Sequence, residues 1–224
     1  MSDKNPLPSG RYALIARHYE ECFARHGDTH LGVDWPKAED ALRRYDAMLG
    51  IVDASAGPVR ILDIGCGAAH LLDRIRARGL TEITYVGLDI SPVFVEFCRR
   101  KHPDITFILG DLLTGDLDIP PVDYVIMNGL FTEKRELEFV EMLAFFQAML
   151  ATAFSLATRG VAFNVMSKQV DYERDDLFHL PLDMMADYVA KNLSRHFIVR
   201  NDYGLYEYTV YLWRNIPTRD WSGR

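Results

Sequence analysis

The chain has 224 residues, enough for one substantial core and too few for two ordinary domains. Hydrophobic residues make up 49% and charged residues 25%, a balance that excludes an intrinsically disordered chain. The formal net charge of −7 argues against nucleic acid as a partner, because gripping a phosphate backbone takes an excess of Lys and Arg.

The opening "MSDKNPLPSG" reads as a loose start, with two prolines and a glycine before any periodicity. It carries no combination of basic residues, apolar stretch and small-residue cleavage site, so no signal peptide is expected. Tyr12, Ile15, Ala16, Tyr19 and Phe23 then recur at helical spacing through residues 11–25. "HGDTHLGVDWP" interrupts with loop chemistry. A second helix follows, with Asp34 a candidate cap and Ala38, Ala41, Leu42, Tyr45 and Leu49 on its apolar stripe.

After residue 55 the rhythm changes to alternating strands and helices. Apolar runs at 60–64, 83–88, 106–109, 124–127 and 161–165 read as strands, and 69–78, 92–101 and 133–157 as helices. Ser91-Pro92 is a strong helix start, a capping hydroxyl followed by proline at the first helical position. Strands apolar throughout and separated by crossover helices make a parallel sheet covered on both faces. A helix near 182–193 is followed by "HFIVRNDY" and "YEYTVYLWR", joined by a connection at Gly204-Leu205 too short for anything but an antiparallel pair. No apolar run approaches the roughly twenty residues that cross a bilayer, so no membrane partner is expected. Cys22, Cys66 and Cys98 are odd in number and lack a CxxC pair, which fits a reduced, cytoplasmic compartment and no metal site. Arg74, Arg76 and Arg78 suit a solvated helix face.

The stretch "VRILDIGCGAAHLL" carries the chemistry. A strand ends at Asp63, and Gly65-Cys66-Gly67 turns into a helix, letting a ligand approach bare backbone. Cys66 in this turn suits a small space-filling residue. A dinucleotide fingerprint would place a third glycine where His70 stands, and no Walker loop is present. A carboxylate just before the turn repels a diphosphate and suits a ligand with a cationic end. Asp89 ends the second strand, where it can accept both ribose hydroxyls, and Asp111 follows the third, near the edge of an adenine. Asn128 and Gly129 end the fourth. Acidic groups and an amide on one rim describe a site for S-adenosylmethionine; a nicotinamide-dependent oxidoreductase is the rival reading.

On these residues the chain resembles the class I S-adenosylmethionine-dependent methyltransferases. "LDIGCGAA" resembles their first motif, with Ala69 at its third glycine; "GLDIS" and "LGDL" resemble the second- and third-strand motifs, and the final antiparallel pair their hallmark. The resemblance implies an α/β, Rossmann-like doubly wound sheet of seven strands, the last antiparallel, with residues 1–55 as an N-terminal helical lid and 56–224 as the cofactor-binding core. It implies cofactor contacts at Asp63, Gly65, Cys66, Gly67, Asp89, Ile90, Asp111, Leu112, Asn128 and Gly129. Tyr12, Tyr19, Trp35 and Arg44 fall in the lid; Arg44 suits the cofactor's carboxylate or an ordinary ion pair.

Methyl transfer to a hydroxyl benefits from a general base. The polar segment "MSKQVDYERDDLFHLP" leaves the fifth strand at the same rim, so His179 or Asp171 is expected to orient or deprotonate the acceptor, against a strong competing reading of His179, between Phe178 and Leu180, as a packed anchor. Tyr206 and Glu207 of the terminal hairpin fall near the same mouth. The acidic charge and the lack of a separate basic domain point to a small-molecule acceptor, and the expected acceptor atom is a hydroxyl oxygen. A protein that binds the cofactor without catalysis is the alternative.

Overall fold

The computed structural model describes residues 10–114 and 117–216; the loose start expected at residues 1–9 lies outside them. The strand that carries the glycine turn, β1 (Val59–Ile64), is buried at every position except Arg60. Around it are β2 (Ile83–Asp89), β3 (Thr106–Leu109), β4 (Val122–Phe131), β5 (Ala157–Met166), β6 (His196–Arg200) and β7 (Glu207–Trp213). They form one seven-stranded sheet in the order β3-β2-β1-β4-β5-β7-β6. β1 to β5 run parallel, and β7 lies between β5 and β6, antiparallel to both. Asp63 lies opposite Gly87 on one side and Ile126 on the other, so β1, β2 and β4 end on one rim. The order reverses at β1, with β2 and β4 leaving in opposite directions, and a crevice opens there.

Successive residues of β1 point to opposite faces. Leu62 and Ile64 join Phe146 and Leu150 of α5 (Phe139–Leu156) in one core. Ile61 joins Leu72 and Ile75 of α3 (His70–Ala77) and Met48 of α2 (Ala38–Leu49) in the other. α4 (Pro92–Lys101) starts as expected, with the Ser91 hydroxyl accepting from Phe94 N–H. α6 (Leu182–Asn192) packs Met185 and Val189 into the first core. The N-terminal helices share these cores: Ile15 of α1 (Ala13–His26) belongs to the first, and Tyr45 of α2 to the second.

Several boundaries differ from the expected ones. α5 starts at Phe139 and not at 133, because β4 continues to Phe131 and Glu133 bridges to Leu177 in extended backbone. A capping box between Glu138 and Glu141 then fixes the start. Val140, in the first turn of α5, is 70% exposed. α5 is long and apolar enough to cross a membrane by length and composition alone, but Met142, Phe145, Phe146, Met149 and Leu150 bury its inner face in the core. Asp34 does not cap α2, whose N-cap is Lys37; it ends a 3-10 turn at His30–Val33 in left-handed backbone, φ 57°. Arg74 and Arg78, expected to be solvated, both reach Asp46 of α2 and tie it to α3.

Candidate active site

The turn after β1 is built from left-handed backbone: φ is 72° at Gly65, 50° at Gly67 and 60° at Ala69. Only glycine adopts this region without steric cost, and Ala69 carries that cost at the helix entry. The N–H groups of Gly65 and Cys66 both donate to the Leu88 carbonyl, at 2.8 and 3.1 Å, wrapping the turn around the end of β2. Asp89 fixes it from that side: one carboxylate oxygen accepts from Gly67 N–H and the other from Ser91 N–H, each at 2.9 Å. Asp63 accepts a hydrogen bond from the Tyr85 hydroxyl at 2.7 Å.

Neither carboxylate has a cationic partner among these bonds. Burial raises the Asp63 pKa to about 7, against the lowering effect of Tyr85 and with the help of the Asp89 charge. Burial likewise raises Asp89 to about 6, against the backbone N–H groups that lower it. Two buried carboxylates held so far above their ordinary range make a place for positive charge.

Both carboxylates line a cleft with about 1080 Å³ of empty space, its mouth included. That is the scale of a pocket for a small organic ligand. Gly65, Cys66 and Gly67 line its floor, and Ile90, Asp111, Leu112, Asn128 and Gly129 the rim beyond. The roof comes from the N-terminal helices: Tyr12, Ile15, Ala16 and Tyr19 of α1, Val33 and Trp35 after it, and Tyr45 of α2. Tyr12 joins roof to rim, donating to Asp111 at 2.5 Å while its ring stacks on Phe145 of α5 at 4.9 Å. Trp35 presses on the opposite end, where a Cβ added to Gly129 would stand 2.8 Å from its ring. Tyr19 also lines the cleft, its hydroxyl 3.5 Å from the Gly129 carbonyl; burial and then the Glu133 charge raise its pKa, so it stays a neutral phenol.

Ten of the sequence-derived cofactor residues, from Asp63 to Gly129, thus share one cleft, and Trp35 joins them. Arg44 does not line it. Its guanidinium lies over the Trp35 ring at 4.1 Å, its Nε donates to buried Glu207 at 2.8 Å, and its Nη1 is buried with no hydrogen-bond partner among the described residues. The structure does not bring His179 or Asp171 to the cleft either. His179 is buried, its Nδ1–H donating to the Ser167 carbonyl at 2.7 Å and its Nε2 accepting from Arg174 N–H at 3.2 Å. With both nitrogens held by backbone, it has no lone pair to offer an acceptor: it is the packed anchor. Asp171 is approached by the Tyr206 hydroxyl at 3.5 Å, on the exposed surface.

Other residues of the site were missed. Tyr85 lies one strand away from the carboxylate it serves, and Phe145 and Met149 look in sequence like ordinary core positions of a helix. Asn164 sits mid-strand in β5, yet its side chain accepts from Gly129 N–H at 2.7 Å and donates to Glu207 at 2.9 Å. A buried amide inside an apolar strand is a signal that something specific needs it. Glu133, just beyond β4, does not line the cleft; it is buried, accepts from Arg135 at 3.2 Å, and has its pKa raised chiefly by its burial.

The cleft fits S-adenosylmethionine on its own chemistry. The Asn128 side-chain oxygen is buried with no hydrogen-bond partner, an acceptor waiting for a donor such as an ammonium. The floor offers two glycines, and Asp63 and Asp89, once ionised, suit a cationic ligand and oppose a diphosphate.

Comparisons with known proteins agree. A family profile described as a methyltransferase domain matches residues 61–153. A Mycobacterium tuberculosis protein named as a methyltransferase is 32% identical over 167 residues, covering 71% of this chain and 95% of its own. The fatty-acid O-methyltransferase of Mycolicibacterium smegmatis is 34% identical over 94 residues, 38% of this chain and only 32% of that one. Magnesium protoporphyrin IX methyltransferase from Synechocystis PCC 6803, solved with bound S-adenosylmethionine, shares the fold at a TM-score of 0.61 and 16% identity, over 91% of this chain and 97% of that one. The rim of carboxylates, the seven-stranded order and the match over nearly the whole length of a relative converge: this chain belongs to the class I S-adenosylmethionine-dependent methyltransferases.

Proposed function

We propose that the enzyme methylates a hydroxyl oxygen of a small-molecule acceptor. The observation that carries this reading is the roof: α1 and the Trp35 loop lie over the cleft, leaving a space walled by Tyr12, Tyr19 and Trp35 beside the cofactor rim. Such a site suits a compact molecule with an apolar body. The net charge of −7 supports it by disfavouring a nucleic-acid acceptor. The mycobacterial relative named as a fatty-acid O-methyltransferase and the structural neighbour named for magnesium protoporphyrin IX support the small-molecule part of this reading. Cys22, Cys66 and Cys98 are all buried free thiols, which supports a reducing, cytoplasmic setting.

When bound, S-adenosylmethionine supplies a methyl group already activated on a positively charged sulfur. The chain's own work is then placement. Asp89 and Asp111 would hold the adenosine hydroxyls and amine, and Asp63 with the Asn128 amide oxygen the cationic end. Tyr19 and Trp35 exclude water and press the acceptor toward the Gly129 end of the rim. Holding reacting atoms at about 3–3.5 Å supplies much of the rate enhancement. A hydroxyl must also lose its proton. Glu133, just beyond β4 and close enough to Tyr19 for its charge to raise the phenol's pKa, is the carboxylate that would take it.

Incubating the enzyme with cofactor labelled in the methyl group and a fractionated metabolite pool tests this directly. Label should move into a small molecule and remain there as an O-methyl group. Label found in nucleic acid or protein, or on nitrogen or carbon, overturns the reading.

A further inference from the structure

Three candidate metal-binding side chains meet outside the cleft, on the roof. His18 and Cys22 stand four residues apart on α1, which places them on one face of the helix. Asp34 reaches them from the left-handed residue that ends the His30–Val33 turn. The His18 Nε2 lies 2.7 Å from an Asp34 carboxylate oxygen and 3.7 Å from the Cys22 sulfur, and the three ligand atoms all fall within 4.8 Å of one another. The absence of a CxxC motif gave no hint of this, because the third group comes from twelve residues further along.

We propose that His18, Cys22 and Asp34 form a binding site for a zinc ion that staples α1 to the Trp35 loop. The donor set is nitrogen, sulfur and oxygen, which zinc accepts and which hard cations such as magnesium do not favour. Tetrahedral zinc with Zn–S ~2.3 Å and Zn–N ~2.0 Å separates those two atoms by about 3.6 Å. The sulfur and nitrogen already stand at that spacing. To admit the ion the His18–Asp34 contact must open by about 0.6 Å, and the Cys22 sulfur and Asp34 oxygen, within 4.8 Å of each other, must settle about 3.6 Å apart. A thiolate and a carboxylate together match the charge of the ion. Cys22 is buried while the Asp34 side chain is 36% exposed, so the ion enters past Asp34.

The surrounding charges bear on uptake in both directions. Arg25 donates to the Cys22 sulfur at 3.4 Å, and Arg135 also acts on it; both favour the thiolate and oppose a cation. Zinc takes sulfur as the thiolate, so its uptake displaces the Cys22 thiol proton. Tyr19, between the two helical ligands, and Trp35, beside Asp34, both line the cleft, so the staple would hold the roof in place.

The test is metal binding by the full chain after treatment with a chelator. Titration with zinc should show one equivalent bound per chain, and titration with cobalt should produce a thiolate-to-cobalt absorption band. Cys22→Ser should abolish the band, and both Cys22→Ser and His18→Gln should weaken zinc binding at least tenfold with unchanged circular dichroism. No uptake overturns the proposal, as does uptake that neither substitution weakens; neither result touches the assignment of the cofactor cleft, because the readout is independent of methyl transfer.

Discussion

Arg44 and Glu207 meet at 2.8 Å across 163 residues of chain, and both are buried. Their ion pair is one link of a chain of contacts that ends at the active-site rim. Glu207 accepts from Asn164, Asn164 accepts from Gly129 N–H, Gly129 packs against Trp35, and Trp35 lies under the Arg44 guanidinium. Roof, sheet and rim are thereby tied together behind the wall of the cleft. Removing one partner of a buried pair leaves the other charge stranded. Arg44→Ala and Glu207→Ala should each destabilise the protein by about 3–5 kcal/mol in urea unfolding. The double replacement Arg44→Met with Glu207→Leu should cost less than either.

At Gly129 the roof packs directly against the rim. Its φ of 78° already excludes other residues at low cost, and an added Cβ would meet the Trp35 ring at 2.8 Å. Gly129→Ala should displace the indole, change the tryptophan fluorescence, and weaken cofactor binding tenfold or more, equivalent to about 1.4 kcal/mol. Unchanged fluorescence and affinity would show that this contact is loose.

The buried carboxylates predict a pH dependence with a definite sign. Unfolded, Asp63 and Asp89 ionise near ~3.9. Folded, they hold their protons up to about 7 and about 6. The folded ligand-free protein therefore binds more protons between these limits. The stability these groups contribute is full below ~3.9 and is lost as pH rises through 6 to 7. A cationic ligand favours the ionised carboxylates, so its affinity should rise over the same window. Calorimetry in buffers of different ionisation heat should show proton release on S-adenosylmethionine binding near pH 6; proton uptake would reverse the assignment.

His179 separates the anchor role from the base role. His179→Ala removes two hydrogen bonds to backbone, the one to the Ser167 carbonyl buried, and should cost about 1–3 kcal/mol of stability. It should leave the pH–rate profile in place. Glu133→Gln should do the opposite, lowering kcat tenfold or more with little loss of stability.

How much of this was legible in the sequence depended on whether the signal was local. The glycine turn and the three strand-end aspartates each announce themselves within a few residues, because strand periodicity stops where polar chemistry starts. The antiparallel β7 followed from the shortness of the connection before it. The start of α5 did not, since an apolar stripe continues through Leu137 while the backbone stays extended to pair Glu133 with Leu177. Arg44 and His179 were visible as candidates but not as partners: what occupies them is Glu207 and the backbone of residues 167 and 174, contacts set by tertiary packing alone. Tyr85 and Asn164 were hidden for the same reason.

Calorimetric titration of the wild type and of Asp89→Ala, each with S-adenosylmethionine and with NAD, bears most directly on the nature of this pocket. The wild type should bind one equivalent of the sulfonium compound and no dinucleotide, and the variant, still folded by circular dichroism, should bind it at least tenfold more weakly. NAD binding as tightly as S-adenosylmethionine, or an Asp89 variant with undiminished affinity, would contradict a cleft whose buried carboxylates are there to receive positive charge.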